Sequence, residues 1–260
     1  MPDLVLQRTG AVATLVIENA GRRNALPAEL WKRFDPLLGA LATDPSVKVL
    51  IVRGAGDDFS AGADIRELDR ILHTPDGRDG GYLTEGENAL ARFPKPTIAA
   101  IDGYCVGGGW QLAAACDIRI ASNRATFGVT PSRIGIVYPL SGIERLVSIA
   151  GPAVAKYLLF SGDLVSAATA ASWGMVTTVV EPSELWSEAV GLAERLASRS
   201  QLSIHAMKQL VDTLASHGDA AALNGRWQAE VAESQDPAIG AAAFVAKQPP
   251  AFTWAPSVPD

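Results

Sequence analysis

The chain has 260 residues, of which 48% are hydrophobic and 19% charged, so a sizeable core can form and wholesale disorder is excluded. A formal charge of −6 argues against a nucleic-acid partner, which needs clustered Lys and Arg, but not against a polyanionic small molecule held by a few local cations. Because no apolar run approaches the ~18 residues of a membrane span and the first residues lack a secretory pattern, we expect a cytoplasmic protein with no membrane partner.

Short β-branched segments alternate with helical patterns through the first two thirds of the chain. Five of them, bounded by Gly, Asp or Pro, are predicted strands: 11–17, 47–53, 97–101, 118–121 and 176–180. Between the first two, apolar residues recur at helical spacing from Leu30 to Leu41. Pro27 suits the first turn of that helix, whereas Pro36 lies inside the pattern and is expected to kink it. Residues 74–81 are the most loop-like stretch.

After Glu184 the pattern becomes helical, which predicts an α/β core at residues 1–195 and a helical region at 196–260. The predicted helices there are 185–197, 203–214 and 220–234. Two apolar faces exceed the needs of one small core and predict self-association: Leu185, Leu192 and Leu196, and Met207, Leu210 and Leu214. The Pro-rich tail from Pro249 is predicted to be a surface extension.

Cysteine and histidine usage indicates neither a disulfide nor a metal site. Cys105 and Cys116 lie in apolar sequence, which predicts two buried free thiols. His73, His205 and His217 share no metal-ligand spacing, so no metal ligand is predicted among them.

Two segments end a predicted strand, turn on glycine and open a helix. The first is residues 59–68 and the second is residues 102–115, which contains the run Gly107-Gly108-Gly109. The first N–H groups of a helix lack intrahelical partners and lie at its positive end. Two such ends that converge would present two donors to one oxygen, as in an oxyanion hole. Either turn alone is as easily an ordinary strand-to-helix connection, and neither has the spacing of a nucleotide-binding loop.

Taken together, the motifs resemble the crotonase superfamily, which includes the enoyl-CoA hydratases and isomerases. The resemblance spans nearly the whole chain and rests on residues 23–26, 59–68, 95–103, 107–109, 116–121, 127–128, 135–136, 161–162, 170–176 and 243–244. It implies a right-handed ββα spiral core with a helical carboxyl-terminal trimerisation region, assembled as homotrimers or homohexamers. It also implies an acyl-CoA thioester substrate and no cofactor beyond its CoA moiety.

The resemblance assigns roles to individual residues. The N–H groups of Ala63 and Gly108 are the expected oxyanion donors. Five residues are expected to contact CoA: Ala25, Ala61, Asp64, Ile65 and Lys247. Of these, Lys247 is expected to reach the CoA bound to a neighbouring subunit. Asp64 is also expected to cap the helix that follows it.

The chain departs from the family pattern where hydratases carry two catalytic glutamates. One position is occupied by Gln111 and the other by Pro131, while a third acidic position of related enzymes falls on Pro139. A glutamine amide can hold a water by hydrogen bonding but cannot accept a proton at neutral pH. We expect Gln111 to line the site, although a polar residue near a helix start has an ordinary structural interpretation too.

Residues 129–143 resemble the corresponding stretch of bacterial methylmalonyl-CoA decarboxylases, including Thr130-Pro131 and Tyr138. Loss of CO₂ generates the enolate without a base, so decarboxylation suits a site that lacks both acids. Tyr138 is then a candidate to orient the carboxylate or supply the proton, or else a core tyrosine with a satisfied hydroxyl. Those decarboxylases carry a histidine at the position of Ala63 and an acid at that of Gln111.

The sequence thus predicts an enzyme of the enoyl-CoA hydratase/isomerase superfamily that stabilises a thioester enolate, with Ala63, Gly108, Gln111 and Tyr138 as catalytic candidates. Two alternatives stay open: a decarboxylase of a malonyl-type CoA thioester, and a catalytically silent CoA-binding paralogue. Glu144 and Arg145, after Gly142, are predicted to start a solvated helix.

Overall fold

Within residues 1–256, which this computed structural model describes, nine strands form two sheets. The larger sheet has the order β1-β2-β3-β4-β6-β9 and the smaller one β5-β7-β8. The strands are β1 (Asp3–Thr9), β2 (Val12–Glu18), β3 (Val49–Gly54), β4 (Thr97–Ile101), β5 (Tyr104–Val106), β6 (Ile118–Ser122), β7 (Thr126–Gly128), β8 (Leu164–Ser166) and β9 (Thr178–Val180). Only β1 runs antiparallel in the larger sheet, and the other five strands are parallel. The central parallel strands are buried on both faces, as is usual for parallel sheets.

Successive turns of the chain place one strand in each sheet and then a helix. Thus β4 in the larger sheet is followed by β5 in the smaller sheet and then by a helix, and β6 and β7 repeat the pattern. The helices are α1 (Ala28–Trp31), α2 (Phe34–Thr43), α3 (Leu68–Leu72), α4 (Gly81–Ala91), α5 (Gly108–Ala115), α6 (Pro131–Ile134), α7 (Leu140–Ser161), α8 (Ala167–Ser172), α9 (Leu185–Ala197), α10 (Gln201–Ala215), α11 (Ala220–Glu233) and α12 (Asp236–Ala246). The expected ββα core followed by a helical carboxyl-terminal portion is confirmed.

The predicted helix around Leu30 is two helices. Lys32 and Arg33 form a turn between α1 and α2, although both keep right-handed helical dihedral angles, and Pro36 is the third residue of α2. At that position its missing N–H has no intrahelical partner to lose, so Pro36 causes no kink. Helices α4 and α12 have no counterpart among the predicted elements, and α7 was predicted only as a helix start at Glu144. Leu83 of α4 lines the cleft described below.

The two predicted apolar faces have different fates. Leu185, Leu192 and Leu196 on α9 pack against the larger sheet, so that face is used within the chain and the prediction of an excess there is wrong. On α10, Met207 is 56% exposed and Leu214 62% exposed, so this second face is uncovered in a single chain.

The Pro-rich tail is held to the helices instead of extending away from them. The Asp236 carboxylate accepts hydrogen bonds from the Thr253 and Trp254 N–H groups at 3.0 and 3.2 Å, and the Trp254 ring packs edge-on against His205. The described part of the predicted tail therefore lies at the surface, as expected, but is fixed to the helices. Residues 257–260 of the predicted tail and helical region lie outside the described residues.

Two further predictions concern the cysteines and membrane-spanning helices. Cys105 and Cys116 are buried free thiols, as expected, and burial raises the pKa of the Cys116 thiol to about 12. No helix among residues 1–256 combines the length and apolar character needed to cross a membrane.

Candidate active site

The two glycine turns identified in the sequence meet in the structure. Gly62 has a φ of 93°, and a Cβ atom built on it would lie 2.7 Å from the Gly108 nitrogen and 2.7 Å from the Val106 oxygen. Gly107 adopts φ 56° and turns the chain from β5 into α5. Side chains at Gly62 and Gly107 would strain the backbone, and at Gly62 a side chain would also separate the turns. The glycines therefore bring two backbone segments into direct contact.

The Ala63 N–H is free because of an extended pairing with Leu26. The Leu26 N–H donates to the Gly62 oxygen at 2.8 Å, and the Leu26 oxygen accepts from the Asp64 N–H at 2.9 Å. The residue between two such bonds turns its own N–H to the opposite side. Within residues 1–256 the Ala63 N–H donates no backbone hydrogen bond. A helix end was the expected source of this donor, but Ala63 precedes the cap residue Asp64 and the 3₁₀ turn that follows.

The Gly107–Gly108 peptide unit carries the second donor. Gly108 is the first residue of α5, and its N–H likewise donates to no backbone acceptor in the described part of the chain. The Gly107 oxygen accepts two hydrogen bonds, from the Gln111 N–H at 3.1 Å and from the Tyr138 hydroxyl at 2.9 Å. Tyr138 is buried, and this burial raises the pKa of its phenol well above the ordinary value. Its hydroxyl is thus satisfied, as the structural interpretation of Tyr138 required.

A cleft of about 510 Å³ runs past both turns. Its lining combines apolar side chains with residues of the two turns and with Gln111 and Tyr138. The lining residues are Ala61, Ala63, Ile65, Leu68, Leu72, Leu83, Gly107, Gly108, Gln111, Thr130, Pro131, Ile134, Ile136, Tyr138 and Pro139. All four catalytic candidates therefore lie on one cleft, together with two of the residues expected at CoA.

The three positions where related enzymes carry acids also line this cleft. Gln111 lies on α5, Pro131 begins α6, and Pro139 precedes α7. Among the described residues the lining contains no carboxylate, and Tyr138 is its one titratable side chain. Proton transfer by a carboxylate of this lining is therefore not available.

A buried carboxylate lies behind Gln111, outside the lining. Glu87 on α4 has no exposed surface, and one of its oxygens accepts a hydrogen bond from the Arg145 guanidinium at 2.9 Å. Burial raises the pKa of Glu87, opposed by the positive charge of Arg145 and by the neighbouring Ser141 and Gln111 side chains. Arg145 thus faces the interior, so its predicted place in a solvated helix start is wrong. Gly142, predicted as a turn, lies inside α7.

Two of the five residues expected at CoA line the cleft. Ile65, which is 66% exposed, marks its mouth, and Ala61 also belongs to the lining. Asp64 caps the 3₁₀ turn as predicted, by accepting from the Arg66 N–H. Its carboxylate also forms ion pairs with Arg22 at 3.2 Å and Arg66 at 2.5 Å, and both guanidinium groups are about half exposed or more. The two guanidinium groups and the one carboxylate leave a net positive charge at this surface.

Three expected CoA contacts lie off the lining: Asp64, Ala25 and Lys247. Ala25 is next to Leu26, whose pairing with Ala63 brings it near the cleft. Lys247 ends α12 in a left-handed conformation and is exposed, and it is not among the residues that line the cleft of a single chain.

Sequence reasoning missed Glu87 and Ser141 altogether and misplaced Arg145. The available signal was weak: Glu87 and Asn88 interrupt the apolar face of α4, and both accept hydrogen bonds from Arg145, at 2.9 and 3.2 Å. Since α4 was not predicted, this polar interruption could not be recognised as one.

The structure is that of an α/β protein with a cleft at two converging glycine turns, and comparison with known proteins makes the class specific. The family model described as enoyl-CoA hydratase/isomerase matches residues 7–254. The chain belongs to the enoyl-CoA hydratase/isomerase family, is an enzyme of that superfamily and acts on acyl-CoA thioesters.

Individual relatives agree with this assignment. The chain is 36% identical over 214 residues to the short-chain-enoyl-CoA hydratase of Clostridium acetobutylicum, covering 81% of each protein. It is 33% identical to the 2,3-dehydroadipyl-CoA hydratase of Escherichia coli, covering 97% of this chain and 99% of that one. A solved enoyl-CoA hydratase/isomerase family member superposes with a TM-score of 0.94 at 39% identity, covering 99% of this chain and 98% of the other.

Proposed function

We propose that the cleft binds the acyl group of a CoA thioester and holds its enolate oxygen between the N–H groups of Ala63 and Gly108. The supporting observation is that both residues line one cleft while neither N–H donates a backbone hydrogen bond within residues 1–256. Donors left free in this way are ready for the charge that develops on a thioester oxygen. The apolar side chains of Leu68, Leu72 and Leu83 suit the acyl chain.

The CoA moiety is proposed to lie at the mouth, over Ile65 and Ala61, with its phosphates near Arg22 and Arg66. Exposed guanidinium groups bind phosphate oxygens in bidentate fashion. Calorimetry with acetyl-CoA and with a longer acyl-CoA tests this arrangement, and absence of binding at millimolar concentration would contradict it. No further cofactor is expected, and Lys247 is proposed to act only on the CoA of a neighbouring subunit.

The reaction that we favour is hydration of a 2-enoyl thioester, because the relatives that match most of the chain are named hydratases. Water forms a bond from its oxygen to C3, the C2–C3 π pair moves onto the thioester as an enolate, and C2 then takes up the proton that the water loses. Water supplies both added groups, so the stoichiometry closes without a side-chain base. Gln111 is proposed to hold this water.

Mass spectrometry of products after incubation with crotonyl-CoA, a 3-enoyl-CoA and methylmalonyl-CoA separates the reactions. A gain of one water from crotonyl-CoA supports hydration. Conversion of the 3-enoyl thioester into a product of the same mass that separates from it by chromatography supports the isomerase branch. Binding of all three without turnover would favour the catalytically silent paralogue.

Decarboxylation of a malonyl-type thioester is the second candidate, and the carboxylate-free lining favours it. The substrate's free carboxylate departs as CO₂ and its bonding pair becomes the enolate, so no base is required. The hydrogen bond of Tyr138 to Gly107 argues against this phenol as the proton source, since its one hydrogen is engaged. Loss of CO₂ from methylmalonyl-CoA without hydration of crotonyl-CoA would establish this candidate.

Self-association through α10 and α12 into trimers or hexamers is also proposed. Exposed apolar side chains lie on both helices: Met207, Val211, Leu214, Phe244 and Val245. Sedimentation tests it, and a lone 27.2 kDa species would contradict it. Replacing Met207 and Leu214 by Glu is expected to dissociate the assembly, whereas Leu6→Glu on the edge strand β1 is the matched control.

A further inference from the structure

Buried polar atoms without a protein partner cluster behind the cleft. Within residues 1–256 eight buried side-chain nitrogen or oxygen atoms have no hydrogen-bond partner, and four of them belong to Glu87, Gln111 and Ser141. They are Oε2 of Glu87, Oγ of Ser141, and both Oε1 and Nε2 of Gln111. Folded proteins pair nearly all buried polar groups, so a group of four at one place needs an explanation.

The same three side chains are close neighbours. Ser141 and Gln111 both lie near enough to Glu87 to lower its pKa against the effect of burial. A Cβ built on Gly142 would lie 2.5 Å from Gln111 Nε2 and 2.8 Å from Cε1 of Tyr138. The absence of a side chain at Gly142 therefore leaves room for the Gln111 side chain next to α7. The Gln111 amide nitrogen is on the side that faces α7.

We propose that Glu87 positions Gln111: the carboxylate attracts the Gln111 Nε2 amide toward α7, so that Gln111 Oε1 faces the bound thioester and accepts a hydrogen bond from the water or hydroxyl at C3. This inference rests on the proposed function and names the residue that makes Gln111 suitable for it. Glu87 is a positioning residue, because it does not line the cleft.

The physical reason is the asymmetry of the two partners. A carboxylate only accepts hydrogen bonds, whereas an amide donates from nitrogen and accepts at oxygen. An ionised Glu87 therefore favours one of the two amide orientations of Gln111 and disfavours the other. Arg145 supports the ionised form by donating to Glu87 Oε1, and this leaves Oε2 as the oxygen available to Gln111. Without Glu87 the Gln111 amide has no fixed preference.

A purely structural ion pair between α4 and α7 is the competing explanation, and a double-mutant cycle separates the two. Glu87→Gln keeps shape but donates and accepts equally, so it removes the orienting preference. We expect it to lower kcat for crotonyl-CoA hydration about tenfold with KM changed less than about twofold. In a Gln111→Met background, where no amide remains to be oriented, Glu87→Gln should lower kcat less than about twofold.

A readout that needs no turnover is the side-chain NH₂ signal of Gln111 in ¹⁵N-labelled protein, assigned by its loss in Gln111→Met. It should shift in Glu87→Gln and stay unchanged in Asp117→Asn, the matched control. Asp117 pairs with Lys208 at 2.8 Å, on a part of the chain that does not line the cleft. If Glu87→Gln does not fold, Glu87→Asp replaces it, since a shortened carboxylate withdraws from Gln111.

An equal loss of kcat in both backgrounds, or an unshifted Gln111 signal, would overturn the inference. A wild-type protein that turns over no thioester would refute the proposed function. A shifted Gln111 signal would still support the positioning role in that case, so the two failures are distinguishable.

Discussion

The Tyr138 hydroxyl donates to the Gly107 oxygen at 2.9 Å, in the peptide unit whose N–H is the proposed oxyanion donor of Gly108. The same oxygen accepts from the Gln111 N–H at 3.1 Å. Two hydrogen bonds to a carbonyl fix the plane of its peptide and polarise it, which strengthens its N–H as a donor. Tyr138 is thereby connected to the thioester through the backbone, although its phenol hydrogen is already engaged.

Removal of the Tyr138 hydroxyl is predicted to weaken the Gly108 donor. Tyr138→Phe should lower kcat on the thioester that proves to be the substrate by about tenfold, less than the roughly 10²–10³ lost when an oxyanion donor itself is removed. Bound cinnamoyl-CoA, whose absorption moves to longer wavelength as its carbonyl is polarised, should show a smaller shift in the variant. Steady-state kinetics and difference spectroscopy measure the two effects.

An unchanged rate and an unchanged spectrum for Tyr138→Phe would make the phenol a packing residue. Tyr157→Phe, which removes an exposed hydroxyl bonded to Asp163, is the matched control.

Backbone chemistry was predictable from the sequence because glycine marks it. Gly62 and Gly108 identified the two turns, and their contact in the structure needs the absence of side chains that glycine provides. Five strands of the larger sheet were predictable for a similar reason, since β-branched runs between Gly, Asp and Pro have few other conformations. The edge strand β1 and the three-residue strands of the smaller sheet were not predicted. The source of the Ala63 donor was not, because pairing with Leu26 joins distant parts of the chain.

Polar residues inside the core were not predictable. Glu87 and Arg145 are 58 residues apart, and each alone is typical of an ordinary charged helix residue. They come together only because α4 packs against α7. That packing places two charged residues of a kind usually found at the surface in an ion pair in the protein interior. The attachment of the tail was not predictable for the same reason, since Asp236 and Trp254 come together only in the tertiary structure.

Gly62→Ala is predicted to abolish turnover by separating the two turns. The new Cβ would lie 2.7 Å from the Gly108 nitrogen, a contact that only a backbone shift relieves. Gly77→Ala is the matched control, because Gly77 also has a positive φ, of 67°, but nothing lies within 4 Å of its Cβ position. Both should lose about 1 kcal/mol or more of stability from the strained backbone, and only Gly62→Ala should lose activity. Thermal unfolding and kinetics together test this, and equal activities would contradict it.

Acid is predicted to destabilise the protein through His205. Burial and the nearby Lys95 and Lys208 lower the pKa of His205 to about 4 in the folded state, whereas its ordinary pKa, which applies in the unfolded state, is 6.5. The folded protein therefore takes up this proton at a lower pH than the unfolded chain does. Between these values the unfolded chain holds more protons, and stability therefore falls as pH drops from about 6.5 toward 4. The Tm of His205→Phe should fall less than that of the wild type over this range. Parallel Tm profiles would contradict the assignment.

Gln111→Glu is predicted to create or raise hydration of crotonyl-CoA, with an unusual pH dependence. The new carboxyl would be almost fully buried and next to Glu87, and both burial and a like charge raise a carboxyl pKa. Since a general base must be ionised, the rate should rise with pH through this raised pKa. Adding Glu87→Gln removes the like charge, lowers the pKa of the introduced carboxyl, and should move the rise to lower pH. In the single variant the pH profile reports the coupled titration of the introduced carboxyl and Glu87. In the double variant it reports the introduced carboxyl alone. A pH profile that Glu87→Gln leaves in place would show that the two carboxyl groups do not interact.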